Sequence, residues 1–236
     1  MFIKLIKQWF ELLLSIFFAR QCAGCRQIAE AGLFCAVCRT ALVQPLWLTG
    51  QEALDGVAVL FRYDGPLKKA LQQIKFAKQK KLLELLTVEC SAAACGLPAE
   101  LAAVLASQQT LLLAIPTARQ RIMERGFDIP LFLFENFAGK RLTAELLLRT
   151  RATLPQYALN PQERKFNLEN CFTVSGNVAG KTIVVADDIF TTGATMEEAA
   201  RTLKAAGAVQ VYGLALCGSI ENYGGAQMKK HLLSLN

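Results

Sequence analysis

The stretch Lys181-Thr182-Ile183-Val184-Val185-Ala186-Asp187-Asp188-Ile189-Phe190-Thr191-Thr192-Gly193-Ala194-Thr195 decides how this chain is read. Thr182 to Ala186 reads as a buried apolar strand. It delivers two adjacent carboxylates, Asp187 and Asp188, to its carboxyl end. A short loop of hydroxyl residues and glycine follows. A helix over Met196 to Ala206 then begins at once, stopped by Gly207 as a left-handed cap. Each part has a chemical use. Gly193 lets the backbone approach an anion closely. Successive backbone N–H groups and the hydroxyls of Thr191, Thr192 and Thr195 can surround a phosphate. The helix start adds unpaired donors and the positive end of its dipole. Carboxylates do not bind phosphate; they accept from sugar hydroxyls or partner a divalent cation. A ribose 5-phosphate meets both demands, with its phosphate on Thr191 to Thr195 and its diol on the acids. A plain capping turn is the alternative, and it leaves two acids, three threonines and a glycine in nine residues unexplained.

Outward from this stretch the pattern alternates. Strands are expected at Val57 to Arg62, Thr110 to Ile115, Cys171 to Val174 and Val209 to Leu216. Helices are expected around Leu67, Leu71 and Ile74, through Leu82 to Cys90, and over Phe127 to Arg141. Strands alternating with helices predict an α/β fold, a parallel sheet flanked by helices, over residues 46–236. Ligands in such sheets sit at the carboxyl ends of the strands. Residues 1–45 hold a separate small unit, and Pro45-Leu46-Trp47 with Thr49-Gly50 reads as the connection. Gly176-x3-Gly180-Lys181-Thr182 imitates a nucleotide phosphate loop, but it is one residue short and precedes a strand instead of following one.

Composition narrows the function. With 236 residues, 53% of them hydrophobic and 19% charged, the chain folds and buries a real core. Its net charge of +7 favours anionic partners. A Ser-His-Asp triad would have to use the single histidine, His231, and a metalloprotease helix or a His-rich metal centre needs more than this one residue, which reads as an exposed tail residue. Four of the eight cysteines form Cys22-x2-Cys25-x9-Cys35-x2-Cys38. Two such knuckles folded over one another supply four thiolates to a tetrahedral ion, so structural zinc is favoured over a redox pair or two disulfides. Cys90, Cys95, Cys171 and Cys217 read as ordinary small buried residues. In residues 1–20, Ile6, Phe10, Leu13 and Phe17 fall at helical spacing. The uninterrupted apolar run, Leu12 to Ala19, is far short of the roughly 20 residues that span a bilayer. An amphipathic helix is expected there, packed on protein or in reversible peripheral contact with the inner membrane. The chain is expected to be cytoplasmic.

Taken together, Val184 to Thr195 resembles the phosphoribosyl-pyrophosphate (PRPP) signature of type I phosphoribosyltransferases. Four more segments, in order, narrow this to the ComF (competence protein F, or GntX-like) family. They are the paired Cys-x-x-Cys; Tyr63-Asp64-Gly65-Pro66-Leu67 with Ile74-Lys75-Phe76; Ile115-Pro116 with Arg125-Gly126-Phe127; and Arg149-x-Arg151 through Gln156 and Arg164 to Asn167 and Phe172. The resemblance implies a type I phosphoribosyltransferase-like sheet with a small N-terminal zinc ribbon. It implies that Asp187 and Asp188 hold the ribose hydroxyls and serve catalysis, and that Thr191, Thr192, Gly193, Ala194 and Thr195 hold the 5-phosphate. Arg119, Arg121 and Arg125 would face the pyrophosphate, Mg²⁺ would bind mainly through PRPP, and residues 149–167 would form a flap. Thr191 stands where purine-salvage relatives carry a carboxylate, which argues against simple purine salvage. The implied activity is Mg-dependent glycosyl transfer from PRPP to an unnamed acceptor. A non-catalytic PRPP or nucleotide sensor is a second reading. A third is an accessory protein of DNA uptake, using Lys68, Lys69, Lys75, Lys78, Lys80 and Lys81 on single-stranded DNA or on a helicase partner. That lysine run is more simply a solvated helix face.

Overall fold

A computed structural model describes residues 21–30, 32–49, 51–143, 145–151, 168–219 and 229–232. The helix expected over residues 1–20 and residues 152–167 of the expected flap lie outside the described residues. Among those described, no single helix is long and apolar enough to cross a membrane.

The core is a six-stranded sheet. Its strands are β1 (Val43–Thr49), β2 (Gly56–Arg62), β3 (Leu111–Ala114), β8 (Thr182–Phe190), β9 (Gln210–Gly218) and β10 (Lys229–Leu232), in the spatial order β10-β1-β2-β9-β8-β3. The four strands β2-β9-β8-β3 run parallel, and β1 and β10 add an antiparallel edge. Long crossovers join the parallel strands. Helices α1 (Ala36–Thr40), α2 (Gly65–Phe76), α3 (Lys80–Ala92), α4 (Ala99–Ala106), α5 (Arg119–Arg125), α6 (Ile129–Phe134) and α7 (Ala194–Ala205) occupy them or lead into the sheet. Two small antiparallel pairs, β4 (Asn136–Phe137) with β5 (Lys140–Arg141) and β6 (Leu147–Arg149) with β7 (Phe172–Val174), flank the sheet.

Side chains alternate across each strand, so the sheet builds two cores. Val184 and Ala186 face the layer of α2, α3, α4 and α6, while Ile183 and Val185 face α7. Met196, Ala199, Ala200 and Leu203 of α7 lie at helical spacing and are all buried. At Gly213 a side chain would meet the Met196 sulfur at 2.9 Å, so α7 packs close over β9.

Several expectations are corrected. Residues 45–49 are not a connection but part of β1, because Pro45 sits near the start of a strand whose Trp47 stacks on Tyr212 at 6.3 Å. The helix expected over Phe127 to Arg141 stops at Phe134; the left-handed backbone at Ala138 and Gly139 turns the chain into the β4–β5 hairpin. The expected strand over Thr182 to Ala186 continues to Phe190, so the two acids lie on β8 itself. Cys95 is exposed, on the 3-10 turn Ala93–Gly96. His231 lies on β10, opposite Trp47 in the register.

Candidate functional site

Strand β8 brings Asp187 and Asp188 to the carboxyl end of the sheet, paired with β9 beyond the point where β3 ends. Successive residues of a strand face opposite sides. Asp188 therefore shares the side of Val184 and Ala186, that of α2. Its carboxylate meets Lys75 Nζ, from the last turn of α2, at 2.6 Å, with side chains 17% (Lys75) and 14% (Asp188) exposed. Burial works to raise Asp188, but Lys75 by charge and hydrogen bond, with Arg125 behind it, outweighs burial and holds the carboxyl below its ordinary range. Asp187 is pushed well above the ordinary range, by burial first and by the charge of Asp188 second. The Asp188 backbone N–H donates to Asp187 Oδ1 at 2.8 Å, which holds the Asp187 carboxylate against the backbone of β8.

Asp187 lines a small pocket with Thr191, Gly193, Ala194 and Thr195. Gly193 sits at φ +79° as the residue that starts α7, and no side chain caps that helix. The first-turn amides therefore face the loop. Thr192 Oγ1 is buried and has no hydrogen-bond partner among the described residues. A buried hydroxyl without a partner costs free energy, so its presence in this loop is what a bound anion would resolve. Glu197, one turn into α7, instead accepts from the amides of Glu52 at 3.2 Å and Ala53 at 2.8 Å, anchoring the helix to the β1–β2 loop.

Beyond β3, Ile115 N–H donates to Ala186 O at 2.8 Å and leads into α5. Arg121 and Arg125 are half-buried there, whereas Arg119 is exposed. Burial pulls the Arg125 guanidinium below its ordinary value, and the charge of Asp188 opposes this. A further arginine belongs to the group. Arg149 donates to Pro116 O at 2.9 Å, lies 5.0 Å from the centre of the Phe172 ring, and is within electrostatic reach of Asp187 and Arg121. Asp128 caps α6 through Leu131 N–H at 3.3 Å and accepts from Thr117 at 3.1 Å.

Lys75 was hidden by its neighbours in the sequence. Lys68, Lys69, Lys78, Lys80 and Lys81 are exposed, as a solvated face requires, but Lys75 is not. Its place, four residues after the buried Leu71 and eight after the buried Leu67, sets it beside the apolar stripe of α2. That spacing was the available signal.

The second cluster lies on the same layer. The four sulfurs of Cys22, Cys25, Cys35 and Cys38 lie within 4.8 Å of one another, and Cys25 Sγ is 3.6 Å from Cys35 Sγ. All four are free thiols. Tetrahedral zinc with bonds near 2.3 Å spaces its thiolates by about 3.8 Å, so the cluster fits such an ion. Burial opposes ionisation of Cys22, but hydrogen bonds from the backbone at Cys25, Cys35 and Gly24 outweigh it and pull Cys22 down to about 6. The ribbon is docked rather than free. Lys69 Nζ donates to Gly24 O at 3.4 Å and Gln73 Nε2 to Ala23 O at 3.3 Å, both from α2. Arg39 donates twice to Glu89 of α3, at 2.8 and 3.2 Å, and Glu89 also accepts from Leu33 N–H.

The chain is similar to known proteins over much of its length. The phosphoribosyl transferase domain pattern fits residues 148–230. The chain is 30% identical over 167 residues to the DNA utilization protein YhgH of Escherichia coli O6:H1, covering 67% of this chain and 70% of that one. It is 24% identical over 225 residues to Competence protein F of Haemophilus influenzae, covering 82% and 89%. Among solved structures, phosphoribosylpyrophosphate synthetase from Mycobacterium smegmatis aligns with a TM-score of 0.30 at 21% identity, over 58% of this chain and 33% of that one. With a phosphoribosyl transferase domain matched over residues 148–230, which carry β8 and its loop, and with YhgH 30% identical over 70% of its own length, the chain belongs to the ComF family of phosphoribosyltransferase-like proteins.

Proposed function

We propose that this chain binds PRPP at the carboxyl end of its sheet and transfers the phosphoribosyl group to an acceptor. The observation that carries the reading is the loop after β8: an uncapped helix start, Gly193 at φ +79° and the buried, unpartnered Thr192 hydroxyl. The 5-phosphate belongs on Thr191 to Thr195, and the ribose hydroxyls on Asp187 and Asp188. Arg121, Arg125 and Arg149 supply positive charge on the pyrophosphate side. In the transfer, the bond from ribose C1 to the pyrophosphate oxygen breaks as the acceptor's nucleophilic atom bonds to C1, through a state with oxocarbenium character. The protein's share is to orient the sugar, to stabilise the leaving charge and to keep water out. Mg²⁺ bound to PRPP would add positive charge on the pyrophosphate side, beside Arg121, Arg125 and Arg149. Zinc on Cys22, Cys25, Cys35 and Cys38 has a structural role, holding the ribbon that docks on α2.

Calorimetric titration of PRPP with Mg²⁺ into the wild type and into Asp187→Asn/Asp188→Asn tests the reading. Binding by the wild type that the variant loses supports it, and pyrophosphate release on screening acceptors then separates a transferase from a sensor. Absence of wild-type binding overturns it.

A specific surface favours a second role, in handling single-stranded DNA, and one relative is named a DNA utilization protein and another a competence protein. Phe76 is 74% exposed at the end of α2, and exposed Lys78, Lys80 and Lys81 follow it. An aromatic platform beside lysines suits stacked bases and a phosphate backbone.

A further inference from the structure

Lys75 is the one lysine of its run that is not exposed, and it contacts an acid of the site directly. It is presented rigidly. Leu67, Ala70, Leu71 and Ile74 fix α2 on the sheet with no exposed surface. At the other end of α2 a side chain on Gly24 would meet Pro66 at 2.5 Å, so the cysteine ribbon wedges the helix in place. Arg125, Asp187, Tyr63 and Cys217 also lie within electrostatic reach of this pair.

Two adjacent carboxylates in a half-buried cleft ordinarily invite a divalent cation. They also repel the phosphates of an incoming ligand. A lysine at 2.6 Å changes both properties. It occupies a lone pair of Asp188 and cancels one negative charge, so the acid pair remains a hydroxyl acceptor and is a poor metal ligand.

We infer that Lys75 is a specificity-determining residue of the site: an internal cation held on Asp188 by α2, which keeps the Asp187–Asp188 pair from taking a divalent metal directly and leaves it free for a neutral diol. The diol half of this inference rests on the function proposed above; the metal half does not.

The test therefore starts with metal alone. Mn²⁺ is titrated into the full-length wild type, Lys75→Met, Lys75→Arg and Lys75→Met/Asp188→Asn, and bound ion is followed by electron paramagnetic resonance. Chemical denaturation of each variant shows that it is folded. The wild type should bind Mn²⁺ only weakly at the acid pair. Lys75→Met should gain a site at least about tenfold tighter, since truncating one member of a buried charge pair leaves its partner uncompensated. Lys75→Arg, which keeps the charge, should behave as the wild type, and Lys75→Met/Asp188→Asn should lose the gained site. In parallel, PRPP with Mg²⁺ should bind Lys75→Met about 30-fold or more weakly than the wild type. Lys75→Met with wild-type Mn²⁺ affinity overturns the inference. So does a wild type that already binds Mn²⁺ tightly in a manner abolished by Asp188→Asn. A gained Mn²⁺ site in a protein whose wild type takes no PRPP upholds the charge role of Lys75 and defeats the PRPP reading instead.

Discussion

Replacing Gly193 with alanine strikes the loop after β8 at its tightest point. Two costs can be worked from the structure. The backbone there is at φ +79°, where an L-residue loses about 1–2 kcal/mol against glycine. The new Cβ would also lie 2.8 Å from Cζ and 3.0 Å from Cε2 of Phe190, a residue only 2% exposed, with little room to retreat. Overpacking of this kind costs about 1–3 kcal/mol, which brings the sum to about 2–5 kcal/mol. Gly180→Ala supplies the control. Its φ of +71° carries the same backbone penalty, but an added Cβ would meet nothing within 4 Å. Urea denaturation of both variants, compared by midpoint at equal slope, isolates the steric part. PRPP or inorganic phosphate titration reads the loop itself. If the loop yields instead of the ring, the cost moves from the midpoint to the affinity, so the two measurements belong together. A Gly193→Ala variant with the midpoint of Gly180→Ala and the affinity of the wild type would refute the claim that this residue shapes the loop.

The remaining expectations can be stated briefly. Because burial raises Asp187 above the ordinary carboxyl value of 3.8, its favourable contribution is complete below that value and is lost as pH rises through the elevated one. Asp187→Asn should therefore be more thermostable than the wild type, by an advantage that widens as pH rises above about 4, at about 2–4 °C per kcal/mol, while losing PRPP; a difference that stays constant with pH counts against it. Cys22→Ser should lower bound zinc and stability while leaving the loop after β8 intact, and full zinc occupancy in that variant would sink the four-thiolate assignment. Glu89→Gln removes the charge that Arg39 and Leu33 N–H share, at a cost of about 1–2 kcal/mol given that Arg39 is 44% exposed. It should speed zinc loss to a chromogenic chelator, and an unchanged rate would show that the ribbon does not depend on α3. Replacing Lys78, Lys80 and Lys81 with alanine should weaken any binding of a labelled single-stranded oligonucleotide. The salt dependence should flatten by about 0.7 for each phosphate that the variant no longer neutralises, and an unaltered slope would move the DNA surface elsewhere.

Features that are local in the chain were legible without coordinates. The cysteine spacing and the acid–threonine–glycine loop keep their chemistry within short segments, so residue order alone implies what lies together. The apolar run of β8 and the spacing of Met196, Ala199, Ala200 and Leu203 likewise announce a central strand and a helix on its face. Where local signals compete, residue order misleads. Pro45 and Gly50 suggest a linker, yet pairing with β2 makes residues 43–49 a strand. Phe127 to Arg141 has enough apolar residues for a helix, yet the turn at Ala138 and Gly139 and the pairing of β4 with β5 end it early.

The tertiary structure alone decided which distant residues complete each cluster. A parallel sheet places the carboxyl ends of β2, β3, β8 and β9 side by side while long crossovers separate them in sequence. Lys75 reaches Asp188 and Arg149 reaches Pro116 only through that folding, as does the docking of Arg39 on Glu89, 50 residues away. Spacing therefore picked out the four cysteines whose sulfurs the fold gathers and the loop that follows the acids of β8. Which cation stands on the acids depended on the side of β8 that Asp188 faces and on the packing that delivers the end of α2 to it.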